Sequence, residues 1–368
     1  MRRFAKISLY VLLILVSSIA VNFTFQWFDL AKYNQSPLNI KTFDGYNSPY
    51  HPSVIYFSEG WNGYKYWMVQ TPYSPKAGPY RDRNECPSLH VSNDGVKWIE
   101  ITSNPIDDLD AKGVQELDYL SDPHLVFTGN RLECWYRLTK RYGDESNRSD
   151  VYLLRKTSEN GVDWSKREVL VSLKHDQYNG LGNMVVSPAI IYEDGKYHMW
   201  YVDSESKGKR NLSYSASLDG KKWEKKVNCQ LFGMQINPWH IDVVQIKGTY
   251  YLTCYDFKDI TIFQAQDKMN FRFIKTLLKP STLGSFYGNS LYRASLIHDG
   301  KYKLYFSSDD IFNTYIGVME GEEITSMQVK DINSSKHRNF IEFTCYKMKI
   351  DYRRYCFICK NLFKRLSE

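Results

Sequence analysis

What this 368-residue chain lacks narrows its class before any motif is considered. It has no dense cysteine framework: seven cysteines, an odd number, lie scattered at 86, 134, 229, 254, 345, 356 and 359. That argues against a disulfide-stapled scaffold, and Cys134 and Cys254, inside apolar strand patterns, read as buried free thiols. Cys356 and Cys359 have redox-motif spacing, but no second such pair for zinc and no βαβ context accompany them. The chain also lacks a basic groove. Its formal charge is +7, yet the first six residues hold three positive charges and the stretch from Lys336 onward a surplus of six. The body between is slightly acidic, so nucleic acid is not an expected partner. No contiguous calcium loop is present either, so no metal ligands and no cofactor are assigned, although acidic residues leave room for calcium at the centre of the fold.

Aromatic residues are abundant, with 29 Tyr, 19 Phe and 9 Trp. Such residues favour strands and supply flat faces for stacking, so the composition leans towards β-structure. At 43% hydrophobic and 24% charged, the chain can bury a substantial core.

Arg2, Arg3 and Lys6 precede an apolar run from Ile7 to about Phe28. A run of that length can span a bilayer as a helix, and positive residues before it place the body outside the cytoplasm. Residues 1–29 are therefore expected to be an uncleaved signal anchor, with the body in the periplasm or at the cell surface. Cleavage after Ser18-Ile19-Ala20, giving a secreted protein, is the alternative.

Beyond a linker at 30–43, a strand pair recurs five times. The copies start at His51-Pro52, Asp122-Pro123, Ser187-Pro188, His240-Ile241 and Tyr292-Arg293, and each leads through a turn into a strand rich in Tyr or Trp. The Gly-containing turns at 193–196, 246–249 and 298–301 suit tight hairpins. After three of the pairs comes Ser-x-Asp/Asn-Gly-x-x-Trp, at Ser92–Trp98, Ser158–Trp164 and Ser217–Trp223. A degenerate fourth copy is Gln266–Phe271. Five units of four short strands describe an all-β, five-bladed β-propeller over 44–325. Residues 326–368 read as a basic, helical C-terminal tail.

In a propeller the inner strand of every blade starts at one face, around a central funnel, and the loop joining strands two and three opens there too. The strand starts offer His51, Asp122, Ser187, His240 with Asp242, and Tyr292 with Arg293. The loops add Arg81 and Glu85. His240 and Asp242 share one side of their strand, because alternate residues do. Carboxylates, imidazoles, guanidinium groups and aromatic rings around one funnel suit sugar chemistry.

The repeats resemble the five-bladed propellers of glycoside hydrolase families 32 and 43. The likeness rests on the x-Pro inner strands, the Asp-Gly-Lys-Tyr turns and the Ser-x-Asp-Gly-x-x-Trp hairpins. It implies a carboxylate pair, with Asp122-Pro123 matching the family's Asp-Pro element and Asn84-Glu85-Cys86-Pro87 its Glu-Cys-Pro element. Blade one departs from the pattern, offering His51 where an Asp is expected. The expected activity is a glycosidase or glycan-transferring enzyme on a surface or capsular polysaccharide. Asp122 would be base or stabiliser, Glu85 the acid, His240 and Asp242 an auxiliary pair, and Arg81 and Arg293 substrate clamps beside His51, Ser187 and Tyr292. A non-catalytic glycan-binding or scaffold propeller is the alternative.

Overall fold

Asn62-Gly63, Asp194-Gly195 and Lys247-Gly248 each put two consecutive residues at positive φ, between 47° and 87°. That two-residue turn matches the twist of paired strands, so each site folds the chain back into a hairpin. The computed structural model describes residues 10, 13–14, 16–18, 20–21, 24, 36–109, 118–142, 149–174, 180–182, 184–204, 208–281, 285–310 and 312–332. The side chains at 79–81 and 83 fall outside that description.

Five antiparallel blades result. Blade I holds β1 (Pro49–Trp61), β2 (Tyr64–Pro72) and β3 (Ser88–Ser92). Blade II holds β4 (Tyr119–Phe127), β5 (Leu132–Arg141), β6 (Ser149–Ser158) and β7 (Glu168–Leu173). Blade III holds β8 (Val186–Glu193), β9 (Lys196–Ser204), β10 (Arg210–Ser217) and β11 (Val227–Asn228). In blade IV, β12 (Gln230–Phe232) lies parallel to β16 (Asn270–Leu278) at the outer edge, beyond β13 (His240–Ile246), β14 (Thr249–Tyr255) and β15 (Ile260–Ala265). Blade V holds β17 (Ser290–His298), β18 (Tyr302–Asp309), β19 (Thr314–Gly321) and β20 (Gln328–Val329). The inner strands β1, β4, β8, β13 and β17 follow one another around the axis, and β17 returns to β1.

The Ser-x-Asp/Asn-Gly-x-x-Trp repeat has a physical cause. Ser92, Ser158 and Ser217 accept a hydrogen bond at Oγ from the N–H of Gly95, Gly161 and Gly220, at 2.7–2.9 Å. These glycines have φ of 72–77°, and each lies against an aromatic ring of the neighbouring blade. Gly161 faces Trp67, Gly220 faces Trp135, and Gly95 faces Tyr305, which joins blade I to blade V. The degenerate fourth copy keeps the contact by another route, since Trp200 Nε1 donates to Lys268 O at 2.8 Å. A hydrophobic cluster fills each of the five blade junctions.

A Cβ on residue 161 would sit 2.1 Å from Trp67 Cζ3, on a backbone at φ +75°. Gly161→Ala is therefore expected to destabilise the protein by about 2–4 kcal/mol, from overpacking plus left-handed strain. A urea midpoint unchanged by the substitution would show that the junction yields.

Two boundaries differ from the sequence expectation. Residues 36–40, read as linker, belong to the body. Leu38 and Ile40 are buried in the junction of blades V and I, the Leu38 N–H donates to Ile316 O at 2.9 Å, and Ser36 bridges Asp331. Strand pairing also runs past 325 to Val329. Cys86, Cys134, Cys229 and Cys254 are buried and outside any disulfide. Among the described residues no helix is long and apolar enough to cross a membrane. Those described between 10 and 24 are helical, with Tyr10, Leu13, Ile14, Val16 and Val21 exposed. Most of the apolar run, and residues 333–368 of the expected helical tail, lie outside the described residues.

Candidate functional site

Near the start of three inner strands a residue precedes proline, and there the backbone is unusual. His51, Asp122 and Ser187 have φ of 51°, 52° and 51°, and a register shift marks a bulge at each. Left-handed backbone costs a non-glycine residue about 1–3 kcal/mol and persists only where its surroundings enforce it. A bulge also re-aims the side chain it carries. A fourth bulge, between Leu291 and Ala294, contains Tyr292 and Arg293. At two of these positions the result is convergence: His51 and Asp122 meet His240, the first residue of β13, in one cleft of about 210 Å³. Glu85, Arg137 and Tyr292 complete its inner wall, and Tyr119, Arg141, Met184 and Trp239 also line it.

His51, Asp122 and His240 each offer a ligand atom, and these atoms lie within 4.8 Å of one another. Donors on one tetrahedral ion sit roughly 3.4 Å apart, so small side-chain movements would close the set. The remaining hydrogen bonds leave the right atoms available. His51 Nδ1 is bonded to Thr71 Oγ1 at 2.8 Å, which leaves Nε2 for a ligand role. Asp122 Oδ2 accepts from Arg137 Nη1 at 2.6 Å and from the Ser187 N–H at 3.2 Å. Asp122 Oδ1 instead faces His240 Nδ1 at 3.4 Å. His240 Nε2 is buried without a hydrogen-bond partner, while Nδ1 has that Asp122 oxygen beside it, and a buried orphan nitrogen demands an explanation. Two imidazoles and one carboxylate suit a first-row divalent ion such as zinc.

The electrostatics agree with that set. Burial would raise the Asp122 carboxyl, but His240, Arg137 and His51 together hold it well below the usual carboxylate range. We place most weight on Arg137, whose charge is permanent. Burial lowers both His51 and His240, keeping their rings neutral and able to act as ligands. Glu85 lies with Oε2 3.5 Å from His51 Nδ1. Burial, reinforced by Asp82 and Asp122, pushes its carboxyl well above the ordinary value.

Several expected roles need correction. Asp242 does share a strand face with His240, but two residues along a strand span about 6.6 Å, which puts it one layer deeper. It lines a separate cavity of about 230 Å³ with Ser53, His124 and Ser295. Its contact is His124 Nδ1 at 3.7 Å, and burial raises its carboxyl to about 6. Arg293 is 0% exposed, so it cannot clamp a substrate. Its guanidinium bonds Pro123 O at 2.9 Å, His124 Nδ1 at 3.2 Å and Pro188 O at 3.4 Å. Ser187 is also fully buried. Its Oγ donates to Ile241 O and accepts from the Ile241 N–H, tying blade III to blade IV. Tyr292 lines the cleft, with its ring 4.0 Å from that of His240. Arg81 falls within the 3-10 segment Pro75–Asn84, but its side chain lies outside the described residues.

Arg137 and Thr71 are missing from the sequence reading. Both sit inside strands, at positions that neither the strand starts nor the loops select. For Arg137 a signal existed: a charged residue amid the apolar run Cys134-Trp135-Tyr136 and Leu138 is explained only by a buried partner.

No family model matches this chain. It is 25% identical, over an alignment of 316 residues covering 70% of the chain, to the A type blood N-acetyl-α-D-galactosamine deacetylase of Flavonifractor plautii. The match takes in 40% of that protein, so this chain spans well under half the length of its curated relative. The crystal structure of an N-acetylgalactosamine deacetylase from F. plautii, in complex with blood group B trisaccharide, superposes with a TM-score of 0.64 at 21% identity, covering 78% of this chain and 95% of that one. A family 43 β-xylosidase/α-arabinofuranosidase from a compost metagenome gives 0.54 at 13% identity, covering 81% and 97%. The RS223 β-xylosidase gives 0.53 at 12%, covering 77% and 95%. With these structures the chain shares its fold.

Proposed function

We propose that this chain is a metal-assisted carbohydrate amidohydrolase that removes the acetyl group from an N-acetylated amino sugar. One observation carries the reading: His51, Asp122 and His240 bring ligand atoms within 4.8 Å of one another, and His240 Nε2 is buried without a hydrogen-bond partner. The likeness to an N-acetylgalactosamine deacetylase supports the choice of reaction. The similarity of fold to β-xylosidases supports a sugar as substrate without favouring glycosidic cleavage.

A divalent ion bound to the three ligands would supply Lewis-acid polarisation of the amide carbonyl and acidify a water. The chain's own groups account for the rest. Glu85, beside His51, is placed to take a proton from water and pass it to the leaving amine as the C–N bond breaks, giving acetate and a free amino sugar. Arg137 and the Ser187 N–H fix the Asp122 carboxylate, and Thr71 fixes the His51 ring. Tyr292 and Trp239 offer aromatic surface to the sugar. The apolar run behind Arg2, Arg3 and Lys6 supports an anchored body outside the cytoplasm, where glycan substrates occur.

The test is to supply the full chain with zinc, cobalt, nickel or manganese and to offer it N-acetylgalactosaminides and N-acetylglucosaminides. Acetate and reducing sugar are measured together. Acetate release without glycosidic cleavage, suppressed by dipicolinate, is expected. Reducing sugar released without acetate, in the presence of chelator, would transfer Asp122 and Glu85 to a glycosidase reading. Binding without either product would favour the non-catalytic one.

A further inference from the structure

Beyond the reacting centre, the aromatic surface of the cleft continues outward from Trp239. Trp239 lines the cleft and stacks on Phe257, with ring centroids 5.2 Å apart and 26° between planes. Phe257 lies in the turn between β14 and β15, which opens at the same face as His240, the residue paired with Tyr255. It is 53% exposed, and its φ is 71°. An exposed phenylalanine on left-handed backbone has no reason in folding: burial does not stabilise it and the backbone strains it.

Arg210, the first residue of β10 in the adjacent blade, reaches across to this edge. Its guanidinium carbon lies 4.6 Å from the Trp239 ring centroid and 4.8 Å from that of Phe257. The Asn237 side chain accepts from the Arg210 N–H at 2.9 Å and fixes the strand start from which the side chain extends. No carboxylate pairs with Arg210 among the described residues, and burial alone shifts its titration, downward. The two arginines that line the cleft are different: Arg137 meets Asp122 at 2.6 Å and Arg141 meets Asp82 at 3.4 Å. Arg210 is thus a partly buried cation, held over aromatic rings at the edge of a sugar-sized cleft, with no paired carboxylate among the described residues.

We propose that Trp239, Phe257 and Arg210 form a second sugar subsite that takes a carboxylate-bearing residue, such as a uronic acid, next to the N-acetylated unit. The apolar C–H face of the ring would lie on the aromatic edge, and its carboxylate would pair with the guanidinium fork. This rests on the amidohydrolase reading for the identity of the neighbouring unit, and it makes the substrate an acidic glycan chain rather than a free amino sugar.

Equilibrium binding separates the two ideas, because it needs no turnover. The full chain is titrated calorimetrically with two disaccharides, both containing N-acetylglucosamine, one with glucuronic acid and one with glucose. Wild type is expected to bind the acidic disaccharide about 10-fold more tightly, a margin that shrinks as salt is raised. Arg210→Gln should erase the margin while leaving the neutral disaccharide unchanged. Phe257→Ala should weaken both by about 5–10-fold, consistent with loss of one aromatic contact. Equal affinity of wild type for the two sugars, or an acidic preference that survives Arg210→Gln, overturns the subsite. If the preference is present but no acetate is ever released, the subsite stands and the deacetylation reading falls.

Discussion

Asp122→Asn is expected to abolish divalent-ion binding and to lower acetate release about 10³-fold, the equivalent of roughly 4 kcal/mol of lost stabilisation at the reacting centre. Oδ2 of Asp122 is already engaged by Arg137 and the Ser187 N–H, so only Oδ1 faces His240 and the cleft. An amide cannot satisfy both sides. If its oxygen faces Arg137, its NH₂ points at the ion; if it is turned round, NH₂ confronts two donors. The substitution also leaves the buried Arg137 without a counter-charge, which by itself destabilises by about 3–5 kcal/mol. Cobalt titration followed by visible absorption, beside a urea unfolding curve, distinguishes a lost ligand from a lost fold. Thr71→Val provides the control. It keeps all three ligands and removes the partner of His51 Nδ1, so a 10–100-fold fall in ion affinity with an intact fold is expected. Wild-type cobalt affinity in folded Asp122→Asn would remove this residue from the ligand set.

Arg293→Met is expected to cost about 3–5 kcal/mol of stability. Arg293 is fully buried, and its guanidinium holds the carbonyls of Pro123 and Pro188, the residues that follow Asp122 and Ser187. It therefore braces two of the three left-handed bulges from beneath. It also supplies positive charge near Asp242. Methionine fills much of the volume but leaves two carbonyls without a donor and an acid without a cation. Arg293→Lys keeps the charge and loses the fork, so its loss should be smaller, near 1–3 kcal/mol. Urea midpoints of the two variants measure the ranking. A methionine variant within about 1 kcal/mol of wild type would mean that the bulges hold without this clamp.

The propeller was legible because each blade repeats the same local chemistry. The Ser-x-Asp/Asn-Gly-x-x-Trp hairpins could be recognised since Ser, Gly and Trp are all required at once. The serine bonds the turn, the glycine takes positive φ, and its missing side chain admits the preceding blade's ring. The strand starts likewise led to His51, Asp122 and His240, because topology alone brings them to one face. Their depth and direction were not legible. Asp242 and His240 share a strand face yet serve different cavities, since one repeat of the pleat, about 6.6 Å, separates them along the strand. Arg293 directly follows Tyr292, but the bulge at Leu291–Ala294 lets both approach the axis, one lining the cleft and the other braced beneath it.

Sequence by itself determined the number of blades, the order in which they close and the residues at the mouth of the funnel, because short-range turn chemistry and period-two patterning are written in consecutive positions. Only the tertiary structure decided that His51, Asp122 and His240 form one set, that Arg137 secures it, and that Arg210 meets Trp239 and Phe257 across a blade boundary. Those contacts join residues far apart in the chain, and their geometry depends on bulges and layer depth that no local pattern encodes.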